Sequence, residues 1–329
     1  MWDKVIEFIK AHQSFLLTTH IHPEGDAIGS EMALKAFLKS RGKHTCVVNS
    51  SETPRNCEFL DPKSEIMVYP DTFRPDVVDQ SDGFIILDVN GWIHLGRFAE
   101  VIQNSTKPRV CIDHHQGFEN DFVDILVSDT SASATGVLVY ELIKEMGGDI
   151  TPQIAEAIYA SIVADTGTFR FTNTDARTFQ IAAELYENGA DPFRIHRNIF
   201  ANRSWGAARL MGPVLNTIES AADGKVVWIR VTKEMFEQAG AVYEDSDGIL
   251  ELVRAIKGVE LCLFFKQTEK GPIKVSVRSN GLVDAYRIAR LHGGGGHRMA
   301  SGLNVDGPME QAIEKVVQTC LEAPELKDR

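Results

Sequence analysis

Cysteine is scarce. The 329 residues hold five, Cys46, Cys57, Cys111, Cys262 and Cys320, and no two form a CxxC pair. An odd number at such spacings argues against a disulfide framework and against a zinc site built from thiolates, and fits a reducing compartment. Long apolar runs are missing too: no segment approaches the roughly 18 continuous apolar residues of a membrane span. Positive charge is short, 34 Lys and Arg against 46 Asp and Glu, for a formal net charge of −12. A field of that sign repels long nucleic acid, but leaves room for a short nucleotide held by a local basic pocket and cations. The spacings GxGxxG and GxxxxGK[ST] are absent, so neither the dinucleotide-binding nor the P-loop reading is supported. No low-complexity run, heptad array or internal repeat stands out. The start, MWDKVIEFIKAHQSF, reads as an amphipathic helix of mixed charge rather than a basic region leading into an apolar stretch. No secretory signal and a cytoplasmic location are therefore expected.

What is present is an ordinary globular composition, 43% apolar and 24% charged, in a chain long enough for about two domains. In the first half, short apolar runs at Phe15–Thr19, Thr45–Asn49, Phe84–Asp88 and Arg109–Ile112 alternate with helical patterns at Gly29–Lys39, Thr135–Glu145 and Pro152–Val163. That rhythm predicts a parallel sheet flanked by helices. Asp175–Glu187 reads as a further helix, and NGADPFRIHRNIFANRS as a connector. From Lys225 the pattern changes to closely spaced strands, KVVWIRVT, VELCLFFKQ and PIKVSVRSN, with QTEKG as a hairpin turn. The expected fold is thus α/β, with a parallel-sheet domain over 1–187, a linker over 188–216, and a smaller α+β domain with a mixed sheet over 217–329.

Ligands of parallel sheets lie beyond the carboxyl ends of the strands, and chemistry-bearing residues gather there. His20, Glu24 and Asp26 lie in one turn, HIHPEGDAIGS, where Pro23 and Gly25 break regular structure and Gly29 and Ser30 open the next helix. Asp88 ends the third candidate strand, Asp113, His114 and His115 end the fourth, and Asp165 follows a helix in SIVADTGTF. One such aspartate is ordinarily a turn residue or helix cap, and adjacent histidines also form structural pairs. Convergence of four such ends is harder to explain that way, because the carboxylates would repel without cations. The oxygen-rich, imidazole-containing donor set suits Mn²⁺, Mg²⁺, Co²⁺ or Fe²⁺. Six groups, His20, Glu24, Asp26, Asp88, His114 and Asp165, are too many for one simple site and about right for two ions sharing a carboxylate, the arrangement of phosphoryl-transfer centres. Neighbours on a strand face opposite ways. We therefore assign His114 as a ligand, His115 to the substrate phosphate and Asp113 as the acceptor that orients an imidazole. His12, His22, His44, His94, His196 and His292 lack this placement.

A second constellation is HGGGGHRMASG. Gly293, Gly294, Gly295 and Gly296 let backbone approach a ligand closely and present N–H groups to an anion. Alone, a tetraglycine is more often a flexible turn. Its company is informative: Arg278 and Ser279 end a strand in VSVRSN and suit a phosphate, and His297 follows the glycines. Together these residues read as a recognition wall across a cleft from the metal cluster.

The motifs resemble those of the DHH phosphoesterases. Asp113-His114-His115 is similar to the signature triplet, HIHPEGDAIGS to the first motif, usually H-x-x-P-D-x-D-A-x-G-S, Asp88 to the second motif and ADTGTF to the fourth. VSVRSNGLVDAYRIARLHGGGGHRMASG resembles the DHH-associated C-terminal domain with its GGGGH signature. Length and domain order are similar to those of the family's nanoRNases. The resemblance implies two divalent ions, typically Mn²⁺. One would be held by His20, Glu24 and Asp88, the other by Asp26, Asp88, His114 and Asp165, with Asp88 bridging. It gives Arg278, Ser279 and His297 a part in holding substrate. It implies hydrolysis of very short oligoribonucleotides to mononucleotides, with removal of the 3′-phosphate of pAp as a second activity, and a homodimer; no membrane partner is expected, given the lack of long apolar runs. The family's other activities remain open: cyclic-dinucleotide phosphodiesterase acting on c-di-AMP or pApA, inorganic pyrophosphatase or exopolyphosphatase, and non-catalytic nucleotide-binding regulator. Glu24 departs from the pattern, standing where aspartate is usual and reaching one methylene further.

Overall fold

The structure, a computed structural model, describes residues 1–119, 121–268, 271–296 and 298–327. It divides into two compact units, Met1–Asn202 and Arg203–Arg329.

The first unit is built on six strands: β1 (Ser14–Thr18), β2 (His44–Asn49), β3 (Ile66–Val68), β4 (Gly83–Leu87), β5 (Arg109–Asp113) and β6 (Ile125–Ser128). All pairings are parallel and the order is β3-β2-β1-β4-β5-β6. The central strands are apolar on both faces, as a parallel sheet covered on both sides requires. Phe15, Leu17, Ile85, Leu87, Val110 and Ile112 enter one core, while Leu16, Phe84, Ile86 and Cys111 enter the other. The helices are α1 (Asp3–Ala11), α2 (Gly25–Ser40), α3 (Asp76–Gln80), α4 (Ala99–Gln103), α5 (Thr135–Glu145), α6 (Pro152–Asp165), α7 (Ala176–Glu187) and α8 (Pro192–Phe200). The strand order reverses between β1 and β4, and such a switch point opens the crevice in which ligands of doubly wound sheets bind.

Helix α2 is buried along nearly its whole length. It presses on α6 so closely that a Cβ on Gly29 would lie 2.4 Å from the Ala157 carbonyl oxygen. It also starts earlier than the sequence pattern predicts, at Gly25 rather than Gly29. Glycine weakens a helix by about 1 kcal/mol relative to alanine, but here it allows close packing: a Cβ on Gly25 would meet that of Ala164 at 2.7 Å. Asp26 therefore lies in the first helical turn, not in an open loop.

The second unit begins with α9 (Trp205–Leu215), so the segment 188–216 holds two helices, α8 and α9, capped by Asp191 and Ser204. Its strands are β7 (Glu219–Ala221), β8 (Val226–Val231), β9 (Leu261–Lys266), β10 (Ile273–Ser279), β11 (Gly295–Gly296) and β12 (Ala300–Val305). They form a mixed sheet, β11-β12-β10-β9-β8-β7, in which only β8 and β9 run parallel. Its other helices are α10 (Lys233–Ala239), α11 (Ile249–Arg254), α12 (Ala285–Leu291), α13 (Met309–Leu321) and α14 (Pro324–Lys327). Strand β10 alternates: Ile273, Val275 and Val277 enter the core under α12 and α13, and Lys274, Ser276 and Arg278 take the opposite face. Of the predicted QTEKG turn, Glu269 and Lys270 lie outside the described residues; β9 and β10 on either side of it pair antiparallel. Among the described residues no helix is long and apolar enough to cross a membrane.

Candidate metal centre

Three neighbouring strand ends and two helices place the acidic and imidazole groups. Just after β1, the Thr19 amide donates to Asn49 Oδ1 (3.2 Å) and its hydroxyl to the Leu87 carbonyl (2.8 Å), which pins the chain as it reaches His20. His20 Nδ1 lies 2.8 Å from the Ile21 carbonyl oxygen, an acceptor only, so Nδ1 carries hydrogen and Nε2 faces Asp88 Oδ2 at 3.4 Å. Asp88 follows β4 directly, in the left-handed region at φ 61°. Such a corner costs an aspartate about 1–3 kcal/mol and is typical of functional sites.

Strand β5 ends at Asp113, and the chain has already turned at the two histidines, so they do not point to opposite faces. His114 Nε2 and His115 Nδ1 both face Asp88 Oδ1, at 3.7 and 3.5 Å. His114 Nδ1 donates to the Ala132 carbonyl oxygen at 3.1 Å, which leaves Nε2 aimed at carboxylates. That Nε2 is buried without a hydrogen-bond partner and lies 3.6 Å from Asp26 Oδ2 and 3.8 Å from Asp165 Oδ2. His115 Nδ1 donates to Asp113 Oδ1 (2.8 Å), an oxygen that also accepts the His114 and His115 amides.

The electrostatics of the cluster are strained. Burial, with the charge of Asp88, pushes Asp26 up to about 7 against four hydrogen-bond donors that favour the carboxylate. Burial and Asp88 likewise push Asp165 up to about 6. Burial would raise Asp88 too, but His20, and then His115 and His114, hold it below the usual carboxylate range. Burial would lower His20 and His115, yet Asp88 carries His20, and Asp113 with Asp88 carries His115, to about 9.

A divalent cation among these groups would offset the mutual repulsion of the carboxylates and compete with the protons on the imidazoles. Two donors that each lie about 2.1 Å from one ion are separated by roughly 3–3.6 Å, close to the spacings around His114 Nε2. One set of converging ligand atoms, within 4.8 Å of one another, comes from Asp26, His114 and Asp165, and another from Asp88, Asp113, His114 and His115. The donor set fits a divalent metal. Glu24 lies apart from both sets: it is the residue before α2, its side chain exposed. Its charge still contributes to raising His20 and Asp165.

Several residues that hold the cluster carry no ligand signature in the sequence. Thr135 bonds to both Asp26 and Asp88, Ser161 Oγ donates to Asp26 Oδ1 (2.6 Å), and Asn173 Nδ2 donates to Asp165 Oδ2 (3.1 Å).

In the second unit, Arg278 is part-exposed, with Nε 3.6 Å from Glu251 Oε1. It ends a row with Lys274 and Ser276 on one face of β10. Beside this row is a cavity of about 300 Å³ lined by Tyr243, Lys274, Ser276, His292, Gly293 and Asn304, among others. Ser279 is different: it is fully buried, its hydroxyl donates to the Val283 carbonyl and it accepts the Gly281 amide (3.0 Å). It shapes the turn after β10 and presents no hydroxyl to a ligand. In the glycine loop, Gly294 and Gly296 are required by packing: a Cβ would lie 2.3 Å from the Gly302 carbonyl oxygen and 2.6 Å from Ser301 Cα, respectively. Gly293 is left-handed at φ 75°, and Gly295 pairs with Gly302 in the sheet. His297 lies outside the described residues.

Residues 14–162 match the model of the DHH family, N-terminal domain, and residues 223–323 that of the DHHA1 domain. A bifunctional oligoribonuclease and PAP phosphatase NrnA of Thermus thermophilus is 34% identical, over 98% of this chain and 94% of its own. The chain belongs to the DHH family. The resemblance read from the motifs is thus to the right family. Another DHH relative, the Bacillus subtilis protein of the same name, is 27% identical over 93% of each chain. The crystal structure of an exopolyphosphatase-related protein from Bacteroides fragilis superposes with a TM-score of 0.93 at 31% identity, covering 99% of this DHH chain and 97% of that one.

Proposed function

We propose that this chain is a metal-dependent phosphodiesterase that degrades oligoribonucleotides of about two to five residues to mononucleotides, and that it also removes the 3′-phosphate of pAp. The observation that carries the reading is the convergence of three carboxylates on the unpartnered His114 Nε2 at the carboxyl end of the sheet. The substrate class is supported by the name of the Thermus thermophilus relative, which aligns over nearly the whole chain.

In this proposal Asp26, Asp88, His114 and Asp165 hold one ion, and His20, Glu24 and Asp88 a second, with Mn²⁺ the favoured metal and Asp88 common to both. Such ions supply positive charge at the phosphoryl oxygens and make water acidic enough to attack at neutral pH. The protein's own part is placement. Asp113 fixes the His115 ring through Nδ1, so that His115 meets the phosphoryl group in one orientation, and the α5 N-terminus holds Asp26. Arg278 and the loop of Gly293–Gly296 with His297 hold a phosphate that is not being cleaved. With a net charge of −12 and so few basic contacts, the protein lacks the distributed electrostatic track that long single strands need. The five free cysteines support a reducing, cytoplasmic setting.

The test is a substrate panel in Mn²⁺: dinucleotides, end-labelled RNA of graded length, pAp, c-di-AMP, pyrophosphate and polyphosphate. Fastest turnover of two- to five-residue RNA is expected. Equal rates on two- and twenty-residue RNA, or turnover of polyphosphate alone, contradicts the proposal. Arg278→Ala is expected mainly to raise KM, because its contact is present in ground and transition states alike. It should also flatten the salt dependence of kcat/KM by about 0.7 logarithmic unit per decade of salt, the share of one single-strand phosphate. An unchanged KM removes Arg278 from the substrate site.

Glu24→Asp tests the one departure from the family pattern. If the extra methylene loosens the ion assigned to His20, Glu24 and Asp88, the aspartate variant reaches half-maximal activity at the same or lower free Mn²⁺. A substantially higher requirement shows that the pocket has adapted to glutamate.

A further inference from the structure

We infer that Thr135 is the positioning residue that fixes Asp26 and Asp88 relative to each other and thereby sets the affinity of the centre for divalent ions. The inference rests on the metal-centre reading above. The two carboxylates come from separate elements: Asp26 from the first turn of α2, Asp88 from the left-handed corner after β4. Thr135 joins them. Its amide donates to Asp26 Oδ2 at 2.8 Å and its hydroxyl to Asp88 Oδ1 at 3.0 Å. These are two of the three carboxylate oxygens that face His114 Nε2, at 3.6 and 3.7 Å. One residue thus determines where both oxygens stand around the third donor.

The join is stiff. Thr135 is fully buried, so water does not compete for its hydroxyl, and its branched Cβ restricts χ1. It opens α5, whose first amides have no partner within the helix and favour an anion. The Gly136 amide accordingly donates to Asp26 Oδ1 at 3.1 Å. Gly136 also holds α5 against α6: a Cβ there would lie 2.0 Å from Ser161 Oγ, itself a donor to Asp26. The hydroxyl of Thr135 has a single hydrogen, and it is committed to Asp88. A threonine kept only to start a helix would not need that bond.

The experiment measures Mn²⁺ binding to metal-stripped protein by calorimetry and electron paramagnetic resonance, with no substrate present. Thr135→Val keeps the shape and the backbone amide but removes the hydroxyl. It is expected to bind Mn²⁺ about 10–100-fold more weakly, the usual effect of losing a partner that orients a ligand. Thr135→Ser, which restores the hydroxyl, is expected to stay close to wild type. Melting in chelator checks the fold; if valine is not tolerated, Thr135→Ala replaces it under the same criteria. Wild-type affinity without the hydroxyl overturns the inference, as does a serine variant as weak as the valine one. A wild-type protein that binds no Mn²⁺ overturns the metal-centre reading itself.

Discussion

Asp88→Ala is expected to strip the protein of metal and of nearly all turnover while leaving it folded. Asp88 faces all three imidazoles of the cluster: Oδ2 faces His20, and Oδ1 faces His114, His115 and the Thr135 hydroxyl. Loss of a single electrostatic donor to a transition state costs about 10²–10³ in kcat, and loss of a shared ligand should exceed that. The fold should survive, because the side chain stands at a strand end and its removal relieves repulsion with Asp26 and Asp165. Alanine at φ 61° adds about 1–2 kcal/mol of backbone strain, so Asp88→Asn, which tolerates that conformation, is the control. Metal content by mass spectrometry and turnover decide the matter. Two ions bound at a near-normal rate in either variant contradict the assignment.

His114→Ala is expected to lower kcat by more than about 100-fold, since losing an outer partner of a ligand alone costs 10–100-fold, with little change in KM. Among the described residues, the His114 imidazole is the one that faces Asp26, Asp88 and Asp165 together. Steady-state kinetics on a dinucleotide separate this from Arg278→Ala, where KM should move instead. A His114→Ala protein with intact kcat and raised KM makes His114 a substrate contact rather than a metal ligand.

The strands that carry the site were legible because a covered parallel sheet demands unbroken apolar runs, and Phe15–Thr18, Phe84–Leu87 and Arg109–Asp113 supply them. The short edge strands β3 and β6 escape such reading, having only three and four residues. In 188–216 the local signals for helices were present, Asp191-Pro192 and Ser204 at the caps, but the glycines and polar residues around them read as a connector. The ligand candidates were visible because their residue types are conspicuous at strand ends. The residues that hold them were not. Thr135 reads only as the first residue of the helix Thr135–Glu145, after the polar stretch SDTSASA, and it meets Asp26 across 109 residues of chain; Ser161 does so across 135. No local pattern reports such contacts. Ser279 shows the reverse case: a residue type suited to a phosphate, whose hydroxyl the fold uses in its own turn.

The most direct test of the account is a titration of free Mn²⁺ into chelator-stripped wild-type protein, with dinucleotide hydrolysis and bound metal read from the same samples. No hydrolysis is expected in the stripped protein, with activity that returns as bound metal approaches two ions per chain. Hydrolysis that persists after stripping, or Mn²⁺ that binds without restoring it, contradicts the account.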